Sequence, residues 1–121
     1  MQSGRVLVNG QDRGVRANRC TNFIERACGL LGRPTLGNSE ALWIAPCPSV
    51  QTLGMRYAID VIFCDAEGRV LKVVEKLAPD RVATAPGARD TCKMQAGAAR
   101  RIGIALGDRL AFADAVVAIP A

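Results

Sequence analysis

The residues best equipped for chemistry lie in one stretch, residues 49–65, SVQTLGMRYAIDVIFCD. A polar loop carrying Gln51 and Thr52 passes through Gly54, Met55 and Arg56 and becomes the most apolar strand candidate of the chain. One carboxylate, Asp60, sits inside that strand, and Arg56 stands four residues before it. A guanidinium is suited to bidentate contact with carboxylate or phosphate. Three readings follow. Gln51, Thr52, Met55, Arg56 and Asp60 could form a ligand site for an anionic small molecule or peptide. Asp60 could act as a general acid or base, with Arg56 stabilising an anion. Asp60 could also be structural, bonded to Arg56 or tying down the adjacent loop through backbone N–H groups. Asp65 offers no catalytic partner, because residues an odd number apart on a strand face opposite ways. A partner for Asp60 would have to come from elsewhere, such as Glu75 or Asp108.

Composition narrows the chemistry further. The chain has no histidine, which removes His-based triads, His-containing zinc sites and the usual proton shuttle near neutral pH. Five cysteines, Cys20, Cys28, Cys47, Cys64 and Cys92, show no CxxC spacing. Neither a metal site nor a cofactor is expected from these patterns. The odd cysteine count and the lack of an export-type apolar run near the start point to reduced thiols and a cytoplasmic location. Cys64 and Cys92 read as small core hydrophobes, and Cys28 lies in a helix pattern. Cys47, in a loop between Pro46 and Pro48, is the thiol to test for reactivity, although no histidine exists to activate it.

The net charge is +5, and all cations but Lys72, Lys76 and Lys93 are arginine. That balance fits an anionic partner. It argues against nucleic acid, since no dense basic patch with interleaved aromatics occurs. No apolar run approaches the ~20 residues that span a bilayer.

The elements that must position these residues are mostly strands. Residues 4–8 and 13–19 form an opening hairpin about Asn9-Gly10. Thr21 or Asn22 caps a helix over about 21–31, its stripe Phe23, Ala27, Leu30 and Leu31 meant for a sheet. Residues 41–45 read as a buried strand with Trp43 as a core anchor. From Arg56 the period-2 rule puts Ala58, Asp60, Ile62 and Cys64 on one face, and Ile59, Val61 and Phe63 on the other. Both faces are apolar, as in a central strand, so Asp60 should be at least partly buried and paired. Residues 69–77 return as its hairpin partner, and 80–85 form a short edge strand. Asp90, Cys92 and Met94 alternate with Arg89, Thr91 and Lys93 as a half-buried strand. A short helical turn near 97–102 and a final strand at 115–119 complete the chain. The expectation is one mainly β domain over residues 1–121, α+β in minor part, sandwich or barrel-like, with one early helix.

Several of these segments resemble one family. Residues 26–33, RACGLLGR, are similar to the R-x-x-G-L-M-G-R segment of the DUF192 family (also called UPF0127), small bacterial and archaeal proteins of unknown function. Residues 52–65, TLGMRYAIDVIFCD, resemble its loop reaching Met-Arg/Lys, then Ile-Asp and an apolar strand ending in Asp. Ala41–Ile44, Gly68-Arg69-Val70, Ala96-Gly97, Gly103-Ile104 and Gly107-Asp108 extend the likeness over roughly residues 15–112. Gln51 stands where a subgroup has His, Leu53 replaces an aromatic, and Lys93-Met94-Gln95 replaces a Glu-Leu-Pro run. The resemblance implies a compact β-rich fold and no reaction. A non-enzymatic binding or accessory module is therefore the leading expectation, with carboxylate acid/base chemistry at Asp60 as the alternative.

Overall fold

A computed structural model of the protein describes residues 2–22 and 36–114. The chain opens with the hairpin β1 (Gln2–Val8) and β2 (Gln11–Arg19), joined by Asn9-Gly10 with both residues at positive φ. This turn geometry matches strand twist, and Asn-Gly is the pair best able to adopt it. Next come β3 (Glu40–Ile44), β4 (Ser49–Gln51), β5 (Ile59–Cys64), β6 (Val70–Leu77), β7 (Val82–Thr84) and β8 (Asp90–Gln95). A five-residue helix, α1 (Ala98–Ile102), and β9 (Leu110–Asp114) complete the described elements.

Seven strands form one sheet in the order β6-β5-β8-β3-β2-β1-β9. Its neighbours are antiparallel except β2 and β3, which run parallel. β4 and β7 make a separate two-stranded antiparallel sheet. The large sheet curls until its edge strands meet at one corner, through an Arg69–Arg109 bridge and the Leu110 N–H donating to Gly68 O at 2.8 Å. Gly68 permits this approach, since a Cβ there would lie 2.2 Å from the Leu110 carbonyl oxygen. The sheet stays open elsewhere, so the barrel-like expectation narrows to a curled mixed sheet that does not close.

Each face of the sheet carries a core. Val6, Val8, Val15, Ala17, Trp43, Ile62, Cys64, Cys92, Met94 and Leu110 fill one, with Ala98 and Ala99 of α1. Leu42, Ile44, Ile59, Val61 and Phe63 fill the other, with Val50 and Ala83 of the small sheet laid over them. β5 is buried on both faces along its whole length, and its side chains divide as the period-2 pattern requires. Trp43 is a core residue and lies 6.4 Å from Phe112, ring centre to ring centre.

Other expectations change. Residues 49–51, read as loop, are a strand, because three residues are too few to show alternation but enough to pair with β7. β8 is not half-buried: it lies between β5 and β3, and both Thr91 and Lys93 are covered along with Cys92 and Met94. The early helix falls, apart from Thr21 and Asn22, outside the described residues, and so does the strand expected at 115–119. Among the described residues no helix is long and apolar enough to cross a membrane.

Candidate functional site

The centre of the sequence pattern, Asp60, is wholly shut off from solvent. Its carboxylate is saturated by backbone donors: Oδ1 accepts from Lys76 N–H at 2.9 Å, and Oδ2 from Gly97 N–H at 3.1 Å and Ala99 N–H at 2.9 Å. The reason lies in β6. Ile59 pairs with Leu77 but Val61 pairs with Val74, so β6 carries an extra residue opposite Asp60. Lys76, at φ 53, belongs to this bulge, and the side chain of Asp60 takes its N–H. The other oxygen gathers the start of α1. Charge-assisted bonds of this kind are strong, and a buried carboxylate needs them. One acidic side chain thus joins β5, β6 and α1.

Arg56 has no part in this. It is exposed and forms no hydrogen bond or ion pair with any described residue, so the Arg56–Asp60 pairing considered from sequence does not occur. Nor does Asp60 tie down the loop that precedes it; its bonds go to residues 76, 97 and 99 instead. That loop is held by Thr52, which is fully buried. Its hydroxyl donates to Ala78 O at 2.7 Å and accepts from Arg81 N–H at 2.9 Å, while its carbonyl accepts from Asp80 N–H at 3.0 Å. Gln51 is exposed, and its side-chain oxygen accepts from Leu53 N–H at 2.6 Å. Met55 is half-buried against the second core. The five sequence candidates therefore divide: Asp60 and Thr52 are interior anchors, Gln51 and Arg56 face solvent, and Met55 lies between.

Topology brings further groups to the same end of the sheet. β5 starts there, while its antiparallel neighbours β6 and β8 end there, since Ile59 pairs with both Leu77 and Gln95. Close by, a groove of about 420 Å³ is lined by Glu75, Lys76, Gly97, Arg100 and Arg101. Arg100 forms a two-bond ion pair with Glu75, both bonds at 3.2 Å, and Arg101 donates to Asn38 O at 2.6 Å. Lys76 forms no ion pair among the described residues. Gly97 belongs to both assemblies, lining the groove and donating its N–H to Asp60. Apart from Glu75, considered as a partner for Asp60, the groove residues were not singled out from the sequence, because the bulge and the turn before α1 bring them together. Among the described residues no cluster of three or more His, Cys, Asp or Glu side chains could hold a metal ion.

Two solved structures share the fold. One is a protein of unknown function from Novosphingobium aromaticivorans, 24% identical, with TM-score 0.73 over 80% of this chain and 74% of that one. The other, a proposed transcription regulator from Sinorhizobium meliloti, is 17% identical, with TM-score 0.80 over 91% of this chain and 93% of that one. At these identities the likeness speaks for the fold alone. No curated protein matches the sequence. The family model of DUF192, described as an uncharacterized ACR, matches residues 5–112. With that match spanning nearly all of the curled sheet and both residue sets at its end, the chain belongs to the DUF192 family.

Proposed function

We propose that the protein is a non-enzymatic binding module that holds an anionic small molecule or a peptide carboxylate at the end of the sheet where β5 begins. The observation that carries this reading is the pairing of the groove with cations lacking a counter-charge. Lys76 lines the groove, and Arg56 stands on the loop that leads into β5; neither has an ion-pair partner among the described residues. Arg100 and Arg101 add charge at the rim, and Glu75 is already engaged by Arg100. The support beneath is stiff, because Asp60 locks the bulge and the start of α1, and Thr52 locks the loop. A site on a rigid scaffold loses little ordering entropy on binding. In this reading Gln51 and Met55 belong to the loop that Thr52 positions, and Asp60 fixes the bulge and the start of α1; neither Thr52 nor Asp60 touches ligand.

The alternative of acid/base catalysis at Asp60 gains nothing from its surroundings. A carboxylate with no solvent exposure and three backbone donors has no open face toward a substrate. A cytoplasmic setting is part of the proposal, and the free thiols of Cys47, Cys64 and Cys92 support it.

Thermal-shift titration with citrate, inorganic pyrophosphate and a tetrapeptide bearing a free C-terminal carboxylate tests the reading. A ligand at a hundred times its Kd should stabilise the fold by about 2.7 kcal/mol. Arg56→Ala with Lys76→Ala should abolish that shift and leave the unliganded melt close to wild type. A full set of probes without any shift, or a shift that survives the double variant, would remove the proposal.

A further inference from the structure

The groove at the start of β5 has a neighbour. A second groove, of about 430 Å³, lies between β6 and α1 with the turn that follows it, and Val73, Ile104, Ala105 and Leu106 give it an apolar lining. Glu75 and Arg100 line both grooves, so their ion pair stands between a cationic compartment and an apolar one. Both partners of that pair reach solvent. An exposed ion pair contributes little, and it yields to a ligand that spans the two compartments.

Leu106 is 68% exposed, more than any other large apolar side chain among the described residues. A single exposed leucine is ordinary on a protein surface, but this one shares a groove with two further aliphatic side chains. Its backbone is also held in place. Ala105 N–H donates to Asp108 Oδ2 at 2.8 Å, Gly107 N–H to Val70 O at 3.0 Å, and Val70 N–H to Asp108 O at 2.8 Å, which pins the turn to the start of β6.

β6 supplies the third feature. It is an edge strand of the large sheet, with β5 as its neighbour. Among the described residues, only Gly107 and Asp108 bond to its outer side through their backbone, both at Val70. The stretch from there to Lys76 is open, and an open strand edge is a template for another extended chain.

We propose that the ligand is the C-terminal end of an extended peptide whose last residue is apolar, an assignment that rests on the anion site proposed at the Lys76 groove. The terminal carboxylate meets Lys76 and Arg101, in the charge-assisted contacts that ammonium and guanidinium groups make with carboxylates. The last side chain covers Val73, Ile104 and Leu106. Because β6 ends at the cationic groove, a peptide with its C-terminus there runs along the open edge in the same direction as β6.

Fluorescence polarisation on the full chain tests this, with dye-labelled tetrapeptides that share one sequence and end in leucine, serine or leucinamide. The leucine peptide should bind at least about tenfold tighter than the serine peptide, a factor that burial of one leucine side chain can supply. Loss of the carboxylate in the leucinamide peptide should weaken binding by about tenfold or more. Leu106→Asn, a change at an exposed position, should bring the leucine peptide down to the level of the serine peptide and leave citrate and pyrophosphate shifts unchanged. Equal affinity for the leucine and serine peptides would overturn the assignment and leave the anion site standing. Octanoate binding as tightly as the leucine peptide would also overturn it, by giving the two grooves to a small amphiphile that needs no strand edge. No binding by any peptide, citrate or pyrophosphate would remove both proposals.

Discussion

Asp60 and Lys93 occupy almost the same place in the sheet and meet opposite fates. They lie on the adjacent strands β5 and β8, one register step apart, with Asp60 opposite Met94 and Val61 opposite Lys93. Their side chains enter opposite cores. Asp60 receives three backbone N–H bonds and becomes a rivet between β5, β6 and α1. Lys93 receives none from the described residues, and burial holds it below the ordinary lysine range. The difference teaches that burial alone does not make an ionic group structural. What separates them is whether the neighbours supply hydrogen bonds in the charged state.

Breaking the saturated side should have the largest effect. Asp60→Ala would strand the N–H groups of Lys76, Gly97 and Ala99 without acceptors, and should lower stability by about 3–5 kcal/mol, measured by urea unfolding. That is a large share of the ~5–15 kcal/mol of a typical domain. A loss below about 1 kcal/mol would mean that the carboxylate is dispensable to the fold. Thr52→Val removes one hydroxyl that is both donor and acceptor, and should cost about 1–3 kcal/mol.

Breaking the unsaturated side should do the reverse. Lys93→Met replaces a desolvated amine with a thioether of similar length, and should raise stability by about 1–2 kcal/mol at neutral pH. A decrease would show that the amine has a stabilising partner and would erase the contrast with Asp60.

The smallest effect concerns pH. The Cys64 thiol ionises near its ordinary value of about 9 when unfolded but only at about 12 when folded, through burial first and the nearby Asp90 and Asp65 second. Its contribution to stability is complete below pH ~9 and is lost as pH rises from there toward 12, because the unfolded chain releases its proton first. Cys64→Ala should flatten that part of the alkaline stability profile; an unchanged slope would assign it to other groups.

What the amino-acid order determined by itself was local. The Asn9-Gly10 turn needs only its own two residues to take up positive φ. The division of Ile59 to Cys64 between two faces follows from the pitch of a strand, and the apolar flanks of Asp60 require its burial. The turn near 97–102 is likewise present as α1. Tertiary structure decided whatever depended on the identity of the neighbours. The partners of Asp60 are backbone N–H groups, which every residue but proline carries and which leave no mark in sequence. Lys93 read as solvent-facing because strand alternation cannot tell that β3 and β5 flank β8 and that a second layer covers its polar face. Ser49–Gln51 became a strand only through β7, more than thirty positions later. A sheet orders its strands by pairing and not by their place in the chain, so neighbours of this kind are not legible in the sequence.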